Sequence, residues 1–426
     1  MQTQPESTTP QKSPSYRTLF GNRSFSTLWL AQIVSQSGDA VFDVALLLFV
    51  YNITHSIFLV GLTQAVVLLP GVFAGPIAGV YADKLNRRDI MIVSNVVQGA
   101  ITTVVAALYV TANLGYSIIL VLVLLLYTAA QFYLAANGAI IPKIVSKENL
   151  GAANSLFTLS TSTNQLIGYS VGGVVVASFG YAIPITYDAL TFLFAAGLLG
   201  LIARSYGQSR QVEAAVPAAT PSGPSFWTNF REGLAYVRQD KLFLQLIVFG
   251  LLVNGFGGAT FALLVPYAKQ HLQGGTDSTY GFLLSAFLLG TIIGSIVVGK
   301  VNFRNYVGKF LFSGIIIFGV LLSILGLVTT IPIALVVFFT IGSFIAIVNV
   351  PISTLIQTHI PGELLGRTTT VLRALLSASQ PIAAVLAGTI ASLLSITTVF
   401  IGSGLVVAIG TGVLYLVFAE LRSAKY

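Results

Sequence analysis

Two carboxylates one helical turn apart, Asp39 and Asp43, interrupt the first long apolar segment of the chain, in the run Ser35-Gln36-Ser37-Gly38-Asp39-Ala40-Val41-Phe42-Asp43. An ionised acid at bilayer depth costs at least ~2.5 kcal/mol on insertion scales, so such acids face a protein interior or a water-filled cavity and mark proton, ion or substrate paths. Gln32, Gln36, Asp39 and Asp43 follow i, i+4, i+7, i+11 and share one helix face, which must turn away from lipid. Two ionised carboxylates this close repel, so the pair is expected to take up and release a proton as a unit, in exchange for a cationic or polar substrate. Asp43 is the expected carrier; for Asp39 a structural role, bonding neighbouring backbone or side chains, stands equally.

Further polar side chains sit where they could line a central cavity. Thr158, Ser162 and Gln165 in the fifth apolar segment match Arg373, Ser377 and Gln380 in the eleventh at a constant offset of 215, and each set shares a helix face. Arg373 has two readings: a cavity cation that balances Asp43 or binds an anion, or a side chain that snorkels to the nearer membrane surface. Gln64, Tyr127, Gln131, Asn254 and Asn349 are cavity candidates in segments two, four, seven and ten, with helix-to-helix hydrogen bonding as the competing role. Asp188, in the sixth segment, reads as a packing or capping residue.

The elements that must position these groups are membrane helices. The chain has 426 residues, 55% hydrophobic and 8% charged, with mean hydropathy +0.89, against roughly 25% charged residues in soluble domains. Twelve spans are expected near 25–50, 57–82, 89–111, 117–141, 151–178, 182–203, 242–267, 279–299, 308–329, 331–357, 367–393 and 396–419. Each is long enough to cross ~30 Å of hydrocarbon with its backbone hydrogen bonds satisfied internally. Alternating the loops places nineteen of the twenty-one Lys and Arg on one side, with Lys269 opposite and Arg373 inside a span. That bias predicts cytoplasmic termini. The net charge of +8 is thereby accounted for by topology, and no nucleic-acid partner is expected.

Residues 205–225 form an Ala/Pro/Ser-rich stretch that reads as a flexible linker, and Phe226 to Asp240 turns amphipathic, with Phe226, Phe230, Leu234 and Val237 on one face. The halves on either side repeat weakly. Glu148, Leu150 and Gly151 match Glu363, Leu365 and Gly366 at offset 215, and Gly79 matches Gly299 at offset 220. The expected architecture is an all-α membrane protein of two pseudo-symmetric six-helix bundles. Residues 1–24 would form an N-terminal tail, 25–204 the first bundle, 205–240 the linker, 241–420 the second bundle and 421–426 a C-terminal tail.

Gly79-Val80-Tyr81-Ala82-Asp83-Lys84-Leu85-Asn86-Arg87-Arg88, between the second and third spans, resembles the loop signature of the major facilitator superfamily. Gly79 lets two helices approach, and Asp83 is placed to meet a helix N-terminus or an arginine from the other half, latching that face. Lys84, Arg87 and Arg88 serve either that gate or topology alone. Within the superfamily the chain is similar to the branch of macrolide-efflux proteins and the enterobactin exporter. That likeness rests on Gln32 to Asp39, on Asp188-Ala189-Leu190-Thr191-Phe192, on Phe230 to Arg238, and on Glu363 to Arg367. Two departures stand out: Tyr169 occupies the proline position of the antiporter motif in the fifth span, and the fourth span lacks the buried arginine of proton-coupled drug exporters.

The resemblance implies a secondary active transporter of the bacterial inner membrane, a monomer that exports an amphiphilic drug-like compound by alternating access, coupled to protons. Dedicated export or flipping of one metabolite, such as a siderophore or lysolipid, is the alternative within transport, and a non-transporting membrane sensor the alternative outside it. An enzyme is not expected: His55, His271 and His359 fall in loops without a nucleophile and base arrangement. No cofactor or metal is expected either, since the chain has no cysteine and its histidines lack ligand spacing.

Overall fold

The computed structural model describes residues 16–207, 226–301, 306–360 and 362–424. Most of the predicted linker and the outermost tails lie outside these residues. Twelve long helices dominate the described chain. In the first half they are α1 Arg23–Thr54, α2 Ile57–Lys84, α3 Arg87–Val110, α4 Tyr116–Ile144, α5 Leu150–Phe179 and α6 Ala182–Gly200. In the second they are α7 Lys241–Ala262, α8 Asp277–Val298, α9 Val307–Leu327, α10 Ile331–His359, α11 Gly362–Leu393 and α12 Ile396–Val417. Eleven are long and apolar enough to cross a membrane. The remaining one, α5, has 30 residues, but its first half carries Asn154, Ser155, Thr158, Ser160, Thr161, Thr163 and Asn164. It packs between α1 and α8, where Ser160, Thr161 and Asn164 bond α1 through Trp29, Gln36 and the Ile33 carbonyl, while Asn154, Ser155, Thr158 and Thr163 stay exposed.

Short polar residues start several helices where the sequence leaves the apolar run. Asn22 caps α1, accepting from the Ser24 and Phe25 amides at 3.0 and 3.3 Å while its own amide donates to the Ile144 carbonyl at 2.9 Å. Asp240 caps α7 through the Leu242 amide at 2.9 Å, and Thr276 with Thr279 forms a capping box on α8. The seventh span departs from its predicted 242–267. Its helix ends at Ala262, and Leu264–Pro266 leads into a π turn, Tyr267–His271, that carries Lys269. The amphipathic segment is a helix, Phe226–Gln239, that rests on α11 and α7 with Val237 buried and Arg231 and Arg238 exposed.

Within the first group α1 packs against α5 and α6, and α3 against α4 and α6; within the second α8 packs against α10, and α9 against α12. The groups meet along two seams, α2 with α11 and α5 with α8. Both seams depend on missing side chains near the face opposite the termini, called here the far face. A Cβ on Gly61 would stand 2.7 Å from the Ala384 carbonyl, one on Gly173 would stand 3.0 Å from the Ser278 Cα, and one on Gly281 would overlap the Tyr169 carbonyl. Ser170 donates to Ser285 at 2.6 Å, and Ser285 donates to the Leu166 carbonyl at 2.9 Å. Lys269 reaches from the second group to Asn52 of the first at 2.7 Å. Toward the terminal face, Thr158, Arg373 and Ser377 are exposed. Among the described residues, the close contacts between the groups gather toward the far face.

Candidate functional site

The polar stripe of α1 turns inward, against α4 and α5. Gln32 accepts from Asn137 of α4 at 3.1 Å, and Gln36 accepts from Thr161 of α5 at 2.9 Å. Two turns further along, Tyr127 of α4 donates its hydroxyl to Asp43 Oδ1. The stripe therefore divides by depth: its glutamines tie helices together, and its last acid reaches the space between the two groups.

That space is a cavity of about 440 Å³. Asp43, Gln64, Tyr127, Gln165, Asn254, Asn349 and Gln380 line it together, so seven of the predicted residues converge from α1, α2, α4, α5, α7, α10 and α11. The offset-related pair Gln165 and Gln380 stands on opposite walls, and Gln380 donates to Asn254 at 3.1 Å. Apart from Asp43 no carboxylate lines the wall among the described residues. The rest of the lining is apolar and aromatic: Tyr169, Phe261, Tyr280, Phe287, Phe318 and Phe344 join Leu46, Leu47 and Val67. A pocket of this size, mostly apolar with a few convergent polar groups, suits a drug-sized amphiphile.

The other predicted residues fall elsewhere. Thr158 and Ser162 share a face with Gln165, and Arg373 and Ser377 share one with Gln380, all nearer the terminal face and off the cavity wall. Gln131 sits between α4 and α2, where a Cβ on Gly75 would stand 3.6 Å from its amide oxygen. Asp39 is off the wall, a turn behind Asp43. Asp188 is fully buried against α1. The aromatic lining was not foreseen; Tyr169 alone carried a signal, as the side chain replacing a proline.

At the terminal face, the Asp83 side chain is 80% exposed and 3.9 Å from Arg87. Arg87 donates to the carbonyls of Ala82 and Ala139, and Arg88 to those of Leu199 and Gly200, so both arginines tie down helix ends of the first group. Gly79 has open space around its Cβ position, and Lys84 closes α2. Among the described residues no group of the second half is paired with Asp83, so the latch expected of it is not engaged in this structure.

A family model described as "Transmembrane secretion effector" matches residues 15–425. The chain belongs to the major facilitator superfamily. It is a multi-pass membrane transporter and not an enzyme. Among similar proteins, the uncharacterized transporter YvqJ of Bacillus subtilis is 26% identical over 95% of this chain and 94% of that protein. Macrolide efflux protein A of Streptococcus pyogenes is 23% identical over 89% and 92%. Among solved structures, the nucleoside transporter NupG superposes with a TM-score of 0.71 at 10% identity, covering 95% of this chain and all of that one. A bacterial homologue of the lysosomal transporter Spinster, inward-facing and occupied, gives 0.69 at 14%, over 94% and 96%. At such identities these two show the fold alone.

Proposed function

We propose that this major facilitator protein exports an amphiphilic, drug-like compound from the bacterial cytoplasm by proton antiport. The observation that carries the reading is the cavity: one carboxylate, Asp43, set with Tyr127 in a wall of glutamines, asparagines and aromatic rings. The aromatic faces and leucines would take an apolar body, the amides would orient it, and Asp43 would bind either its cationic group or a proton. Competition for one carboxylate couples the two fluxes. The likeness to a macrolide efflux protein supports efflux as the direction.

The nineteen basic residues assigned to the terminal side support a cytoplasmic placement of that face. In that frame the structure is inward-open, ready to load from the cytoplasm, and the far-face seams are the closed outer gate. Opening them while the terminal face closes, with Asp83 engaging the second group, would release cargo outward.

Proteoliposomes test the reading. Asp43→Asn should still bind a neutral amphiphile, because the amide mimics the protonated acid, but it should not move substrate in response to a pH gradient. Gradient-driven transport by Asp43→Asn at the wild-type rate would remove Asp43 as the obligatory carrier. A panel of lipophilic cations, macrolides and siderophores in the same vesicles distinguishes broad efflux from export of a single metabolite.

A further inference from the structure

Asp188 lies in α6, fully buried, and neither of its carboxyl oxygens has a hydrogen-bond partner. It presses against α1 where that helix has no side chain: a Cβ on Gly38 would stand 2.7 Å from Asp188 Oδ1. No donor reaches either oxygen among the described residues. Thr191 gives its hydroxyl to the Asp188 carbonyl at 2.8 Å, and Asn95, Gln98 and Thr102 of α3 each donate to the backbone of their own helix.

The charged and titratable groups around it are all acids or tyrosines. From α1 come Asp39 and Asp43, both within electrostatic reach of Asp188, and from α4 comes Tyr127. On the facing stretch of α3 the buried polar groups are neutral, Asp89 and Tyr109 lying near its two ends, and Tyr187 on α6 itself is engaged with Ser37 at 2.7 Å. α5, which touches α6 more lightly, bears Tyr169 as its titratable side chain. Arg88 touches α6 only at its opposite end, through Leu199 and Gly200. A buried carboxylate is tolerated when donors or a cation compensate it, and here neither is at hand.

We propose that Asp188 is a resident proton site of the first bundle, a neutral carboxylic acid held behind the cavity wall against Gly38 of α1. The site does not rest on the reading of Asp43 as the cavity proton carrier.

Infrared spectroscopy of the purified protein in lipid nanodiscs, in H₂O and D₂O near neutral pH, reads the site without any substrate. The wild type should show the carbonyl stretch of a neutral carboxylic acid, shifted on deuteration. That band should lose intensity in Asp188→Asn and persist in Asp43→Asn. If Asp188→Asn does not fold, the Asp39→Asn/Asp43→Asn double variant decides, because Asp188 is then the one acid left deep within a span, and the band should survive. Absence of the band from the double variant, or its full persistence in Asp188→Asn, overturns the proposal. A protein that transports without proton coupling fails in the vesicle assay above and still shows the band, so the two failures are distinct.

Discussion

The hydroxyl of Tyr127 on α4 donates to Asp43 Oδ1 on α1, joining the two helices at the cavity wall. A hydrogen bond to a charged group contributes about 1.5–3 kcal/mol. Tyr127→Phe keeps the ring and removes the donor, so the thermal midpoint of the solubilised protein should fall. The loss should be smaller when Phe is introduced into Asp43→Asn. Additive losses across that double-mutant cycle would mean that the pair does not act as a unit.

Lys269 links the two groups at the far face, bonding Asp277 at 2.5 Å and Asn52 at 2.7 Å, and its ammonium lies 5.8 Å from the Tyr51 ring centre. Asn52 is in turn bonded to Tyr181, the N-cap residue of α6, so one lysine gathers three helices. Lys269→Gln should populate far-face-open molecules several-fold more, as expected for a loss of about 1 kcal/mol. Spin labels at Asn113 and Ser392, exposed on the two groups, should then report a longer distance component. A distribution identical to that of the parent would remove Lys269 as a gate.

Gly61 permits the α2–α11 seam: its Cβ position is 2.7 Å from the Ala384 carbonyl and 3.1 Å from the Gly388 Cα. Gly61→Val should therefore wedge the seam apart and raise far-face accessibility. Gly71→Ala, on the same helix with nothing within 4 Å of its Cβ position, is the matched control and should behave as the parent. Equal accessibility in both variants would show that the seam tolerates the bulk.

Asp83 is open to solvent here and would engage only when the terminal face closes. Asp83→Asn should leave the terminal-face-open form intact and make the closed form rarer, by about 0.3–2 kcal/mol if the partner is a helix N-terminus. Labels at Glu148 and His359 read that balance, and an unshifted distance distribution would show that Asp83 is no latch.

Sidedness is testable in whole cells because the chain has no native thiol. Asn113→Cys, on the far face, should react with an impermeant maleimide from outside, and Glu148→Cys, on the terminal face, should react only after permeabilisation. The reverse pattern would invert the assigned topology.

Hydropathy carried eleven of the twelve helices, because each must satisfy its backbone within ~30 Å of lipid and therefore announces itself as a long apolar run, whereas the polar first half of α5 does not. The inward turn of the α1 stripe was equally legible, since Gln32, Gln36 and Asp43 have no alternative to a protein partner at that depth. The offset of 215 between the halves paired Gln165 with Gln380 before either had a position in space. Periodicity places a residue on a face, however, and says nothing of which neighbour that face meets. Gln32 and Gln36 bond helices while Asp43 reaches the cavity, a distinction set by how far along α1 the two groups separate. The aromatic lining was hidden because Phe287 facing a cavity and Phe facing lipid look alike as letters. Asp188 reads as a peripheral capping residue in one dimension. Only the packing of α6 on Gly38 of α1 sets it, without a partner, beside two further acids whose sequence positions lie some 145–150 residues away.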